Sequence, residues 1–339
     1  MNRKNFLATI VPLAAAINSF GQKEKLKPQE KPSKIPKYLQ KEDTIGITSA
    51  AGYITLADCT DAINTIEKWG YKTKIGSTIG KKSFGFGGTD EERLADFQQM
   101  LDDDTITAIM IARGGYGFVH IIDKIDFTKF IKKPKWLIGF SDVTILHSHV
   151  SKNFGIASIH SKMCNSFVKP ELAEPAQLET IDSIRKCLSG EKIIYKTPTI
   201  NIANKLGAAT GMLVGGNLKT LESLSASKSD LNTDNKILFV EDTGEYMYSI
   251  DRMFYNLKRS GKLNKLAGLI VGGFKIKKDE GGEDFGKTLE QIVLEKVSEF
   301  KYPVCFDFPV GHQKNNFALK CSVEHRLEVG IGECSLKEK

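Results

Sequence analysis

Three residue types at the ends of apolar runs could together hydrolyse an amide: Ser141 in "GFSD", Glu241 or Asp242 in "KILFVED", and His312 in "DFPVGH". A serine hydroxyl attacks a carbonyl when a base takes its proton, and a carboxylate behind that base fixes its tautomer and stabilises its cation. Ser141 stands where one apolar run ends and "VTILHSHV" begins. On such a strand-to-helix turn a serine can be held above a sheet with the next amide aimed at a developing oxyanion. Ser141 or Asp142 would equally well cap the helix. The available bases are His120, His147, His149, His160, His312 and His325. His147 and His149 follow Ser141 in the same helical pattern and are expected to pack or face solvent. His312 lies in a loop after a strand, where catalytic groups collect, and where a plain surface histidine would also stand. Glu241 and Asp242 follow their strand directly, as a triad acid or as turn carboxylates. Serine, acid, histidine is the chain order of α/β hydrolases.

"ARGGYG", residues 112–117, is a glycine turn after a buried-looking strand. Its amides suit an oxyanion or a carboxylate, and a plain tight turn is the alternative. This turn is not followed by the Lys-Ser/Thr of a phosphate loop and does not form a G-x-G-x-x-G,. In "EYMYSIDRMFYNLKR", Ile250, Met253, Phe254 and Leu257 share one helical face and read as core,. Glu245, Tyr248 and Arg252 could border a site or a solvated helix edge. Cys59, Cys164, Cys187, Cys305, Cys321 and Cys334 are scattered, without a C-x-x-C pair or a histidine at ligand spacing, so no metal is assigned. They read as small buried hydrophobes.

The elements that must carry these residues alternate. From Asp43 onward short apolar runs ("TIGITSAAG", "KTKIGSTI", "TAIMIARGGYG", "KWLIGF") are separated by helical patterns, one of which opens with a capping box, Thr89 and Glu92,. This predicts an α/β fold with a mostly parallel sheet covered on both faces and its site at the carboxyl ends of the strands. Residues 169–204, punctuated by Pro170, Pro175 and Pro198, read as a connection,. The second half resumes with "GMLVGGNLKTLESL" and ends on strand-like "YPVCFDFPVGH" and "CSVEHRLEVG". The expected organisation is a signal peptide at 1–22, a Lys/Pro-rich linker at 23–41, a nucleophile domain at 42–168, and a smaller α/β domain at 205–335 carrying Glu241 and His312.

The formal charge of +7 resides in the N-terminus: residues 1–41 hold nine Lys/Arg against two Asp/Glu, and the remainder is neutral. A nucleic-acid surface needs a basic stripe on the folded domain, so nucleic acid is not an expected partner. Arg3 and Lys4 before the apolar stretch Phe6 to Ile17 have the layout of an export signal, too short to span as a mature helix,. Export, to the periplasm, without a membrane anchor in the mature form, is expected.

In this order, "GGTDEERLADF", "ARGGYG", "IGFSDVTILH", "GMLVGGNLKTL", "FVEDTGEYMYSIDRMF" and "FPVGH" closely resemble the LD-carboxypeptidase family of serine peptidases, the muramoyltetrapeptide carboxypeptidase type, over about residues 43 to 330. The resemblance implies a flavodoxin-like N-terminal domain, a smaller C-terminal domain, a site between them, no metal or organic cofactor, and a homodimer. It implies Ser141 as nucleophile, Glu241 as acid and His312 as base. The amides of Gly115 and Asp142 are oxyanion-hole candidates, and Arg113 or Gly114 would meet the substrate carboxylate. The implied reaction removes terminal D-alanine from a murein tetrapeptide at its L,D bond. Two other readings are a microcin C self-immunity type hydrolase of peptide-nucleotide conjugates, which would need an aromatic stacking partner, and a non-catalytic murein-binding protein. The chain departs from the family in "SIHSKM", where glycine and proline often follow the histidine, and in "SASKSD", where a Gly-Thr pair is common. Both segments are expected near the substrate.

Overall fold

Hydrophobic alternation in the first half becomes a six-stranded sheet in the computed structural model, which describes residues 33–197, 201–278 and 284–339. The expected signal peptide and the start of the linker lie outside the described residues. Strands β1 (Thr44–Thr48), β2 (Lys72–Ile75), β3 (Ile106–Ile111), β4 (Trp136–Gly139) and β5 (Ser158–His160) are parallel in the order β5-β4-β3-β1-β2. This is the flavodoxin-like doubly wound order. The strands are buried on both faces because helices cover both. Ile45, Ile47 and Met110 pack on α1 (Leu56–Lys68) through Cys59 and Ile66, whereas Ile109 and Ile111 pack on Phe97 and Met100 of α2 (Asp90–Asp102). The Thr89/Glu92 capping box is formed at the start of α2. A short α3 (Thr128–Lys132) and α4 (Thr144–Phe154) flank β4 in sequence.

The residues read as a connection are structured. They form α5 (Pro175–Ser189), which covers the first sheet through Ile181 and Ile184, and β6 (Ile194–Lys196), which joins the second sheet. That sheet has seven strands. Strands β7 (Gly207–Asn217), β8 (Ile237–Tyr246), β9 (Gly268–Lys277) and β10 (Val304–Cys305) run parallel. Helices α6 (Leu218–Ser223), α7 (Met247–Arg259) and α8 (Leu289–Val297) belong to this half, α8 being shorter than the apolar text "GKTLEQIVLEKVSEF" suggests. As expected, Ile250, Met253, Phe254 and Leu257 are core. Strand β11 (Leu319–Cys321) departs from the expected division, pairing antiparallel with β5 in the first sheet before β12 (Glu324–Val329) and β13 (Cys334–Glu338) return to the second. Ser33–Lys339 therefore form one compact unit.

The end of the expected tether is packed as well. Tyr38 stacks on Trp136, the Trp136 indole N–H donates to the Lys37 carbonyl at 3.1 Å, and Leu39 is buried. All six cysteines are buried free thiols.

Candidate active site

Strand β4 ends in an abrupt reversal. Phe140 is extended, Ser141 has φ +63°, and the chain turns at once into a short 3₁₀ segment and α4. A left-handed φ at a non-glycine residue is strained and recurs at functional turns. No side-chain cap bond forms here, so Ser141 is not acting as a helix cap. Asp142 is not a cap either: its carboxylate accepts the Phe118 N–H at 2.8 Å, and burial lifts its pKa to about 6. The glycine turn after β3 lies against the turn at the end of β4. A Cβ on Gly114 would stand 3.1 Å from the Ser141 Cβ, and Gly115 has φ +94°. The turn is fixed by Gly52 N–H to the Gly114 carbonyl at 2.9 Å. Buried Arg93 spans the Ala50 and Gly117 carbonyls, both at 2.8 Å.

Glu241 owes its position to a bulge. The register between β8 and β9 shifts between Val240 and Asp242, and such a shift re-aims a side chain,. Glu241 is fully buried. Its Oε2 accepts His312 Nδ1–H at 2.7 Å and the His312 backbone N–H at 3.2 Å. A ring whose Nδ1 donates to a carboxylate keeps Nε2 as its proton acceptor. Asp242, the alternative acid, is occupied elsewhere: it accepts Lys219 N–H at 2.8 Å and Thr243 N–H at 2.6 Å.

The His312 loop is held closely. Gly273 N–H donates to the Val310 carbonyl at 2.9 Å, and a Cβ on Gly272 would stand 2.5 Å from that oxygen. Asn316 Oδ1 accepts Gly311 N–H at 2.8 Å, and Gly311, at φ +105°, leaves no room for a Cβ beside Glu241. The imidazole packs on the Phe140 ring, with centroids 4.8 Å apart. Ser141 and His312 line one open cleft of about 430 Å³ with Arg113, Gly114, Gly115 and Phe140. Arg113 donates to the Tyr53 carbonyl at 2.9 Å.

The other histidines serve packing. His147 donates Nε2–H to the Gly139 carbonyl at 2.9 Å and accepts the Ser158 hydroxyl at 2.8 Å, and burial depresses its pKa to about 4. His149 bonds Ser229, His325 bonds the Val323 carbonyl, and His120 lies between Asp90 and Tyr116. Buried His160 contacts the rings of Phe140 and Phe239. Glu245, Tyr248 and Arg252 do not line the cleft: Glu245 accepts the Ser249 hydroxyl, and Arg252 lies over Tyr248. Trp136 is in the core and Trp69 packs against it.

The two departures from the family pattern separate. "SASKSD" does not line the cleft, contrary to expectation. Its turn is tied down by Ser229 to His149 at 2.9 Å and by Asp230 to Lys262. "SIHSKM" does reach the cleft, through Lys162 and Met163. Sequence reading missed the groups that hold the site, Arg93 and Asn316, and the cleft cations Lys162 and Lys275. Asn316 carried one available signal, its place four residues after His312 in a loop.

Residues 45–161 match the model of the LD-carboxypeptidase N-terminal domain, and residues 210–327 match that of the LD-carboxypeptidase C-terminal domain. A "Probable murein peptide carboxypeptidase" of Bacillus subtilis (strain 168) is 31% identical over 317 residues, covering 89% of this chain and 97% of that one. The "Murein tetrapeptide carboxypeptidase" of Pseudomonas aeruginosa is 27% identical over 262 residues, covering 76% and 83%. Among solved structures, that of muramoyltetrapeptide carboxypeptidase from Oxalobacter formigenes superposes with a TM-score of 0.77 at 26% identity, covering 87% of this chain and 98% of that chain.

Proposed function

Because the chain belongs to the LD-carboxypeptidase family, we propose that it is a serine carboxypeptidase that hydrolyses the L,D bond to terminal D-alanine in murein tetrapeptides and releases tripeptides. The observation that carries this reading is the Ser141 turn at φ +63° on the same cleft as a histidine bonded through Nδ1 to buried Glu241.

In this reading His312 Nε2 takes the Ser141 proton as Oγ attacks the carbonyl of the diamino acid. The amides of Gly115 and Asp142 receive the oxyanion, and Arg113 or the Gly114 amide meets the terminal carboxylate. His312 then protonates the D-alanine amine, which leaves, and the acyl group stays on Ser141. Water attacks the ester with His312 again as base, restoring the serine. Glu241 remains ionised throughout and offsets the charge on the imidazolium.

The test is mass spectrometry of purified protein incubated with disaccharide tetrapeptide, beside a Ser141→Ala variant. Tripeptide and free D-alanine from the parent alone is the expected result. Cleavage by both proteins would remove Ser141 from its role. Cleavage by neither would redirect the search to peptide-nucleotide amides or to simple murein binding.

The proposal extends to export and assembly. Arg3, Lys4 and the apolar stretch after them support export, and cell fractionation with N-terminal sequencing of the mature chain tests it,. The family resemblance supports a homodimer, testable by light scattering of the purified chain.

A further inference from the structure

Buried His160 is enclosed by rings, yet it carries two nitrogens that packing does not need. It ends β5, in register with Gly139 of the strand that leads to Ser141 and with Leu319 of β11. Its ring meets Phe239 of β8, the strand that carries Glu241, with centroids 5.0 Å apart. It meets Phe140 at 5.7 Å, and Phe140 is the same ring on which His312 packs. His160 therefore stands where the strands bringing nucleophile and acid come together, one ring away from the base.

Other buried histidines use their nitrogens: His147 bonds the Gly139 carbonyl and Ser158, His149 bonds Ser229, and His325 bonds the Val323 carbonyl. Neither nitrogen of His160 has an aligned partner among the described residues, and neither has Nδ2 of Asn316, a side chain 1% exposed. These two groups are neighbours, the Asn316 side chain being the hydrogen-bonding group beside the His160 ring. Buried polar groups left unpaired are costly, and the hydrogen bonds of a catalytic site are often misaligned in the free enzyme and close when substrate binds.

Donor and acceptor follow from what each group can do. The Gly311 N–H can only donate, so the Asn316 end facing it is Oδ1, at 2.8 Å,. Nδ2 remains for His160, and a donor there needs a lone pair, which a neutral imidazole has and an imidazolium lacks. Burial first, then the charges of His147 and His312, hold the His160 pKa well below its ordinary value, so that lone pair persists while His312 gains and loses its proton.

We propose that His160 is a positioning residue: one ring nitrogen accepts Asn316 Nδ2–H when substrate binds, and through Asn316 Oδ1 and the Gly311 amide it fixes the loop that aims His312 at Ser141. The shared Phe140 ring is a second line of contact between the two imidazoles. The proposal rests on the carboxypeptidase reading above, so its test includes a rate that does not depend on the peptide.

Parent, His160→Phe, His160→Gln, Asn316→Ala and the His160→Phe/Asn316→Ala double variant are compared, each checked by thermal unfolding. Two rates are measured. One is D-alanine release from disaccharide tetrapeptide. The other is labelling by phenylmethanesulfonyl fluoride, in which Ser141 Oγ bonds the sulfonyl sulfur, fluoride leaves and His312 takes the hydroxyl proton. His160→Phe keeps the ring contacts without the lone pair and should lower kcat and the labelling rate roughly 10- to 100-fold, with KM changed by less than about twofold. His160→Gln, whose side-chain oxygen can accept the same N–H, should recover most of the loss. The double variant should be no slower than Asn316→Ala alone, since one route is broken twice. Unaltered rates in His160→Phe, additive losses in the double variant, or a glutamine variant as slow as the phenylalanine one each overturn the proposal. If His160→Phe does not fold, histidine-nitrogen NMR spectra of the sulfonylated parent decide: a neutral His160 with one nitrogen accepting a hydrogen bond is expected, and a doubly protonated ring or a free lone pair overturns it. A parent that labels Ser141 yet releases no D-alanine overturns the substrate reading alone, and the labelling rates still decide the role of His160.

Discussion

Ser141 carries a conflict between folding and reaction, because its hydroxyl is presented by a backbone conformation that side chains disfavour. Ser141→Ala and Ser141→Gly both delete the hydroxyl and should both lose activity on the order of 10⁴-fold or more. They should differ in stability, the glycine variant being firmer by ~0.5–1 kcal/mol because it accepts φ +63° freely. Urea unfolding of the pair checks this, and an alanine variant as stable as the glycine one would mean the turn stores no strain. Glu241→Gln should lower kcat by roughly 10³- to 10⁴-fold with little change in KM, since an amide cannot hold the imidazolium that forms. Asp242 gives a pH signature. Burial lifts its carboxyl to about 6, so its stabilising contribution is complete below the ordinary value of 3.8 and is lost as pH rises through about 6,. Relative to Asp242→Asn, the parent should lose stability between about pH 4 and pH 6, by at most ~1.4 kcal/mol per unit for one proton. Unfolding curves across that range test it, and a pH-independent difference would contradict it. Serine, carboxylate and histidine were legible because their types at strand ends suggest one chemistry. The choice of Glu241 over Asp242 came from the family resemblance and not from spacing, because the bulge that separates their directions exists only in register with β9. Lys162 left no pattern to read, since a lone loop lysine has none.

At the scale of elements, features made by neighbours in sequence were the readable ones. The Thr89/Glu92 box closes over three residues, and the core face of α7 repeats every turn. Contacts that hold one element's end against another were not readable. Asn316 reaches back to the Gly311 amide, and Thr144 Oγ1 accepts the Asn217 N–H at 3.0 Å where Gly216 packs against it. Asn316→Ala would leave a buried N–H unpaired, costing about 1–3 kcal/mol. It should also loosen the His312 loop, so kcat falls further than stability alone explains. Kinetics on the folded variant well below its unfolding temperature separate the two, and full activity there would make Asn316 a structural residue only.

For the molecule as a whole, the sheets were foreseeable and their sharing was not. Strands β6 and β11 are three residues each, too short for periodicity, and their partners are fixed by tertiary contacts far along the chain. Since the connection gives β6 to the second sheet and the C-terminal half gives β11 to the first, the described body should unfold as one cooperative unit,. Calorimetry in which the van't Hoff and calorimetric enthalpies agree is the expected outcome, and two resolved transitions would contradict it. The placement of β11 also bears on synthesis. A chain emerging amino end first can assemble the five parallel strands early, yet the edge of β5 stays open until Leu319–Cys321 has been made. At roughly 5–20 residues per second, about 160 residues separate β5 from its partner, an interval of roughly ten to thirty seconds. During that time the strand beside β4 is open to pairing with a neighbouring nascent chain, a hazard limited by its length of three residues,.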